Sequence, residues 1–600
     1  MPKKGIAIRI ILSSLFFILI FLIVIYKFYE LQIKRHTELY EKARSKYTQT
    51  IKQKAERGKI FDVKGKLLAT NQPCFEISID PSFKTFEKES DCREIAEFLA
   101  KKTENNAEEI FQKLTNKKLP DGRIRKYAKI ADFVDLDTAS EMKDYIKEKK
   151  WKGIFFIEKT KRYYPYNQLL INIIGFVNID KGQEIAQSGI EKTKEKSITP
   201  EEGKIIIERD RTGYTIEEHI LEQCRPGNDI YLTISQEIQM IVEEELDKIV
   251  QMYNPLSAYI VMANPWNGNI MAIGQRPTFN PNDRSSIKSF EAMKDKVISE
   301  AFEPGSIMKP IPVSGAIDFG IINPDDTFDC ENGAWFYAGK ILRDAHPYSI
   351  LTVREIIQKS SNIGTAKIAI KLGAKRLDNI FKRFEFGQKT GIPIQTEAKG
   401  IYRPLDKWDP LSISRFPIGQ GILVSPLQIV RAYCAIANGG NLVKLRLVDR
   451  EVNPTTNESF IFPVEREKKI FLRPDTAKKI TDMLKLVTKK GGTAERAAIK
   501  GYEVAGKTGT SQKFIDGAYS NTKFHSSFIG FVPADKPAFV MLIMVDEPNG
   551  NHYGGIVAAP SFRNIGEKVL RILDIPPMYI DEYEENYIKK KNGEDTQTIP

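Results

Sequence analysis

A serine and a lysine three positions apart, as in FEPGSIMKP (302–310), put a hydroxyl and an amine on one face of a helix. There the amine can take the hydroxyl's proton and leave a nucleophile. The spacing is common: besides Ser306–Lys309 the chain carries Ser140–Lys143 and Ser285–Lys288. Ser140 and Lys143 belong to the charged helical run LDTASEMKDYIKEKK, where both are expected to be solvated, and Ser285 and Lys288 to the polar, loop-like NPNDRSSIKSF. Ser306 instead follows a Pro304-Gly305 turn and precedes the apolar Ile307, Met308, Pro310, Ile311 and Val313. Backbone N–H groups at the first turn of a buried helix can hold an oxyanion, and a buried lysine loses its proton more readily than one in water. On these residues alone an ordinary helix start fits EPGS equally well.

Two later segments bear on the choice. KSSNIGTAKIAIKLG (359–373) puts Ser360 and Asn362 at the start of a helix, where N-capping would also explain them. EVAGKTGTSQK (503–513) reads as a strand entering Lys507-Thr508-Gly509-Thr510. A cation, two hydroxyls and a residue without side-chain bulk suit an edge strand that binds a carboxylate beside its backbone. Lys389-Thr390-Gly391 repeats the KTG pattern with no apolar strand before it. The order SxxK, SxN, KTG, each in suitable local structure, is the triplet of penicillin-binding proteins and class A β-lactamases.

The elements that must position these residues are legible as a mixed layout. Six hundred residues exceed one core, so two or more domains are expected. From residue 230 a strand (230–234), a periodic helix (236–253) and a strand pair (257–262, 270–273) around NPWNGN follow one another. Helices dominate to about residue 480, and strands return at 503–505, 526–531 and 538–545. One sheet therefore gathers both ends of this half around a helical insert. Before it, 31–54 reads as a polar helix, RGKIFDVKGKLLATN (57–71) has two glycine turns, and 72–225 mixes strands with helices such as 91–102 and 107–115. RYYPYNQLLINIIGF, SGIEK and RDRTG in that region read as scaffold wiring; the tail from 579 is charged and expected to be poorly ordered.

At the N-terminus Lys3, Lys4 and Arg9 precede an uncharged run from Ile10 to Tyr26, long enough with residues 5–8 to cross a bilayer. No small-x-small cleavage site follows, so an anchor is expected rather than a removed signal peptide, with its N-terminus cytoplasmic and the rest outside, where neither ATP nor NAD is available. The formal charge of +12 does not gather into an Arg-rich stripe, so it reads as a solvated surface and nucleic acid is not an expected partner. Five scattered cysteines without CxxC, and five histidines without HExxH, give no support for a metal site or a disulfide framework. No GxGxxG, Walker loop, repeat or heptad run occurs.

In its ordered triplet the chain resembles the class B penicillin-binding proteins, single-pass D,D-transpeptidases of bacterial cell-wall synthesis. RGKIFDVKGKLLA is similar to the family's first scaffold motif, with Val63 where an arginine is usual, and RYYPYNQLLINIIGF to the second, with Asn167 and Asn172 for glycine and histidine. SGIEK, RDRTG, FGQKTGIP and PIGQGILVSPLQIVRAYCAIANGG also fit, which makes the 389–391 copy of KTG a structural loop. The resemblance implies an α/β fold: a transpeptidase domain with an antiparallel sheet flanked by a helical subdomain, on an elongated α+β pedestal behind one transmembrane helix. The implied boundaries are 1–27 for the cytoplasmic tip and anchor, 28–225 for the pedestal, 226–578 for the transpeptidase domain and 579–600 for the tail.

It further implies Ser306 as acylated nucleophile, Lys309 as its base, Ser360 as proton relay and Asn362 as holder of the substrate's amide backbone. Lys507, Thr508, Gly509 and Thr510 would bind the substrate's terminal carboxylate, and the N–H groups of Ser306 and Thr510 would form the oxyanion hole. No cofactor or metal is implied. The implied partners are stem peptides ending in D-Ala-D-Ala, β-lactams as covalent inhibitors, and the inner membrane. With no signature like EDxxFxxHxG for a glycosyltransferase, a separate polytopic glycosyltransferase of the SEDS family and divisome proteins are expected as well. The glutamine-containing run before Arg57 and FVNIDKG favour a division type; PIGQG is common among elongation types. A catalytically idle scaffold, and a membrane-held β-lactamase or sensor, are the rivals from other classes.

Overall fold

The computed structural model describes residues 3–53, 55–180, 183–209, 215–283, 285, 287, 289–465 and 471–578. Asp210 to Gly213 of RDRTG, Lys288 of the third Ser–Lys pair and the charged tail lie outside them. The chain divides into two compact units, Met1–Arg57 with Thr199–Gly227, and Gly58–Ile198 with Asn228–Pro600.

The first unit opens with the helix Lys3–Tyr29, whose uncharged run gives a segment apolar and long enough to cross a membrane. A π-helical turn (Glu30–Lys34) and a helix (His36–Tyr47) follow. The expected polar helix 31–54 stops there. Thr48–Gln53, TQTIKQ, is a strand, pairing antiparallel with Gly203–Arg209, which pairs in turn with Thr215–Glu222. The β-branched Thr48, Thr50 and Ile51 favour a pleated ladder over a helix once a partner strand is present, and that partner lies some 150 residues away, beyond the reach of local reading.

The second unit contains the candidate chemistry. Helix α1 (Gln236–Tyr253) lies on a five-stranded antiparallel sheet built from β1 (Ser257–Ala263), β2 (Ile270–Arg276), β3 (Ala505–Ile515), β4 (Ala518–Val532) and β5 (Phe539–Asp546), in the order β2-β1-β5-β4-β3. Both ends of this half of the chain therefore meet in one sheet, as its pattern predicts. β1 and β5 are buried at every position, as suits central strands covered on both faces. β3 is an edge strand, with one side of its backbone unpaired by the sheet.

Between β2 and β3 run the helices that carry the other motifs: α2 (Pro310–Asp318), α3 (Val353–Lys359), α4 (Asn362–Leu372), α5 (Pro426–Ala437) and α6 (Pro474–Thr488), while α7 (Ala559–Ile572) closes the unit. Thr352 with Glu355 caps α3, and Ser425 with Gln428 caps α5, each as a reciprocal box. α5 is buried along its whole length beneath the sheet. Helices do not fill this insert alone. Short ladders pair Thr327–Asp329 with Ile350–Thr352 and Ala334–Tyr337 with Lys340–Arg343, and Val448–Val452 with Ser459–Ile461 join a second sheet.

That second sheet, seven-stranded, also holds Asp229–Leu232, Ile60–Phe61, Leu67–Ile79, Ala128–Val134 and Ile154–Tyr163. Glu89–Thr103, Ala107–Thr115 and Leu136–Glu148 cover part of it around a separate small core of Ile77, Ile95, Leu99, Ile110, Leu114 and Met142. The scaffold motifs meet here. Arg162 donates to Glu191 Oε1 (2.6 Å), Gly58 O (2.8 Å) and Asn71 Oδ1 (3.1 Å), joining three of them in one buried knot. Asp62 accepts from the backbone of Lys64, Lys66 and Gln236, tying the first motif to the start of α1. Of the three departures, the two asparagines find partners more than 100 residues on: Asn172 donates to Ala292 O and Lys294 O and accepts from Thr278, while Asn167 accepts from Asn282.

Candidate active site

Ser306 sits in the 3-10 turn Gly305–Met308, which leads directly into α2. Two glycines make this possible. Gly305 has φ +56°, and Gly419 (φ +78°) lies so close that a side-chain carbon on it would come 2.3 Å from Gly305 O. The buried hydroxyl of Tyr433 on α5 donates to Ile307 O (2.9 Å) and props the turn from below. Gly509 plays the matching part on β3: a side-chain carbon there would meet Ser527 Oγ at 2.3 Å and Ile307 Cγ2 at 3.0 Å, so only glycine lets the edge strand lie against the Ser306 turn. Ser511 Oγ donates to Glu303 O (2.8 Å) and fixes the strand in that position.

Lys309, one turn after Ser306, is fully buried and points at Ser360. Its Nζ donates to the Ser360 carbonyl and to Ser360 Oγ (3.0 Å). Lys507, equally buried on β3, donates to the same Ser360 Oγ (2.9 Å) and to Thr508 O (3.2 Å). One hydroxyl thus gathers two amines from segments 51 and 147 residues away. Among the described residues no carboxylate bonds either amine. Burial pushes Lys309 down to about 7, against a smaller upward pull from Asp344. Burial, then repulsion from Lys309, holds Lys507 well below the ordinary lysine range. Spacing alone pairs Lys309 with Ser306; in the structure its side-chain hydrogen bonds go to Ser360.

Ser360 ends α3 in the left-handed conformation (φ 63°, ψ 40°), a geometry that costs a residue with a side chain about 1–3 kcal/mol and that clusters at functional sites. Helix capping falls to its neighbour: Ser361 Oγ accepts from Gly364 N (2.9 Å), so neither Ser360 nor Asn362 is the cap. Asn362 is oriented by donating to Arg343 O (2.8 Å), which leaves its amide oxygen available. Thr508 and Thr510 project from one face of β3, two residues apart. Thr508 bonds Thr493 (2.8 Å), and Thr510 Oγ1 accepts from Gly554 N (3.2 Å). Ser306, Lys309, Ser360, Asn362 and Lys507 to Thr510 therefore belong to one cleft beside the edge of β3.

The Ser140–Lys143 pair stays apart from it. Ser140 is exposed, and Lys143, also exposed, lies over the rings of Phe75 (3.7 Å) and Phe156 (5.2 Å), so its surroundings are less polar than its sequence suggests. Lys389 to Gly391 form a loop whose Thr390 backbone and hydroxyl bond the buried Glu397. Local reading misses Asp344, which accepts from Ser361 Oγ and from the N–H groups of Asn362 and Ile363 at the start of α4. It comes from the hairpin before α3, and nothing near it in sequence marks it. Among the described residues no group of three or more metal-ligating side chains forms.

Residues 258–567 match the model of the penicillin binding protein transpeptidase domain, and residues 52–232 that of the penicillin-binding protein dimerisation domain. The chain is 32% identical over 459 residues to peptidoglycan D,D-transpeptidase FtsI of Escherichia coli (strain K12), covering 76% of this chain and 75% of that protein. It is 31% identical over 598 residues to stage V sporulation protein D of Bacillus subtilis (strain 168), covering 98% and 89%. In fold it is similar to penicillin binding protein 2X of Streptococcus thermophilus, with TM-score 0.73 at 23% identity over 87% of this chain and 80% of that one.

Proposed function

The chain belongs to the penicillin-binding protein transpeptidase family, in its class B arrangement, and we propose that it cross-links peptidoglycan stem peptides through an acyl-enzyme on Ser306. The observation that carries this reading is the convergence of two buried amines on the Ser360 hydroxyl beside the Ser306 turn. Ser306 Oγ attacks the carbonyl between two terminal D-alanines, and its proton passes to neutral Lys309. The N–H groups of Ser306 and Thr510 hold the oxyanion. The proton travels through Ser360 to the departing amine, and the last D-alanine leaves with the bond. A second stem's amine then attacks the ester carbonyl, forms the cross-link and restores the Ser306 hydroxyl. Lys507, Thr508 and Thr510 bind the terminal carboxylate beside Gly509, and Asn362 holds the donor's amide backbone.

The apolar N-terminal helix supports a single-pass anchor, with a cytoplasmic tip and the catalytic half outside the cytoplasm. Residues 28–225 serve as pedestal and 226–578 as transpeptidase domain. A polytopic SEDS-family glycosyltransferase and divisome proteins are the partners that fit, and similarity to FtsI favours septal synthesis over elongation. Incubation with labelled penicillin tests the chemistry: a covalent adduct is expected on the full chain and none on Ser306→Ala. An adduct that survives this substitution, or none on the wild type, sinks the reading. Rapid hydrolytic turnover of the adduct would mark a β-lactamase instead. Depletion in the native cell is expected to give filaments; spheres would assign elongation.

A further inference from the structure

Next to the Ser306 turn opens a cavity of about 500 Å³ that the proposed reaction does not use. Its wall includes Lys340, Arg403, Arg415, Asp409, Gln420 and Tyr519. It adjoins the cleft through Glu303, three residues before Ser306, whose Oε1 accepts from Gly421 N (2.8 Å) and from the Tyr519 hydroxyl (3.2 Å).

The charges around this cavity do not balance. Arg415 is half-buried and makes no side-chain hydrogen bond or ion pair among the described residues; burial alone weighs on its charge, with only Tyr519 nearby to offset it. Arg403 lies over the ring of Phe416 (5.3 Å) and Lys340 is exposed, and neither forms an ion pair among the described residues. The one carboxylate in the wall, Asp409, is occupied by the backbone and hydroxyl of Ser412, both at 2.7 Å. The Glu303 carboxyl is turned to Gly421 N and the Tyr519 hydroxyl and forms no ion pair with these three cations, and burial raises it above the usual carboxylate range. A guanidinium cannot shed its proton, and its fork of donors matches a carboxylate.

The place of the cavity along β3 decides which ligand reaches it. If the terminal carboxylate lies at Lys507 and Thr508, and the attacked carbonyl beside Gly509 and Thr510, the rest of the donor stem runs on past Ser511. Tyr519 stands opposite Phe514 in the β3–β4 ladder, on that side. The Tyr519 hydroxyl reaches back to Glu303, whose carbonyl accepts from Ser511, so the cavity opens towards the level of Ser511; there, one strand step or about 3.3 Å past Thr510, falls the residue preceding the acylated D-alanine.

The geometry points to a second carboxylate subsite, in which Arg415, with Arg403 and Lys340, binds a side-chain carboxylate on the donor residue next to the acylated D-alanine. The preferred stem therefore carries a diamino acid with a free side-chain carboxylate at that position, not lysine. This inference rests on the donor-stem reading of Ser306 given above.

Two synthetic peptides X-D-Ala-D-Ala test it on the full chain in detergent, X being such a diamino acid with its side-chain carboxylate either free or converted to carboxamide. Release of D-alanine is expected to be at least about tenfold faster from the acid, the scale of one charge-assisted pair. Arg415→Gln is expected to bring the acid-to-amide ratio close to one, and Arg415→Lys to restore part of it. If Arg415→Gln shows no cooperative melting, Arg403→Gln combined with Lys340→Gln is expected to lower the ratio instead. A wild-type ratio near one, or a ratio unchanged in the variants, overturns the subsite. Release from neither peptide overturns the transpeptidase reading, and the subsite with it.

Discussion

Arg162 in the scaffold and Lys309 in the cleft are both fully enclosed basic side chains, yet their surroundings differ in kind. Arg162 faces Glu191 at 2.6 Å, both ends of the pair being shut away from water. Burial opposes its charge, but Glu191, with Tyr164 and Glu184, outweighs burial and leaves the guanidinium above its ordinary range. Among the described residues Lys309 and Lys507 have only hydroxyls and carbonyls within hydrogen-bond distance, and both are pushed down. A buried charge with a counter-charge makes a joint. A buried amine without one makes a base, and the cost falls on stability.

Four substitutions or conditions sharpen or break that contrast. The largest effect is expected from Lys309→Met, which should slow acylation by labelled penicillin about 10²–10⁴-fold, the usual range for losing a general base. Its melting temperature should equal or exceed the wild type's, because an uncompensated amine is replaced by an apolar chain. A clear drop in melting temperature would mean that Lys309 is structural after all. Glu191→Gln should do the reverse. It strands Arg162 and is expected to cost about 3–5 kcal/mol in denaturant unfolding, while folded protein still labels at Ser306.

The third effect depends on pH. The folded value of about 7 for Lys309 lies below the ordinary lysine value of 10.5, so between these the unfolded chain binds more protons and stability rises with pH. Below about pH 7 the folded state must carry the buried ammonium and that gain is absent. Acylation should climb about tenfold per unit up to this point and then level off, and Lys309→Met should flatten the stability slope across the window. The smallest effect is expected from Ser140→Ala. On that exposed helix it should change stability by less than about 0.5 kcal/mol and leave labelling intact.

Much of this was legible in the sequence. The edge strand with Lys507 to Thr510, the helix 236–253, and the ordering of Ser306, Ser360 and Lys507 all follow from patterns a few residues long. What such patterns could not convey is partnership across distance. Thr48–Gln53 looks helical until Gly203–Arg209 is known to lie beside it, and the shared hydrogen bonds at Ser360 join segments from three parts of the chain. Ser361 takes the cap that Ser360 or Asn362 might equally have taken, because Ser360 is turned into the left-handed region. Asp344 and Arg415 carry no motif. Their significance lies in what surrounds them, a helix start in one case and an uncancelled cavity in the other.

The hydroxyl that Lys309 and Lys507 share has a consequence for ligand capture. Burial disfavours both amines as cations, and an incoming carboxylate supplies a counter-ion that favours the charged form of Lys507. Capture of the anion is then coupled to uptake of a proton. Because burial opposes the charged form of Lys507, affinity for the carboxylate should fall as pH rises, even as Lys309 becomes a better base. The two lysines therefore pull the pH dependence in opposite directions, one limiting attack and the other limiting docking.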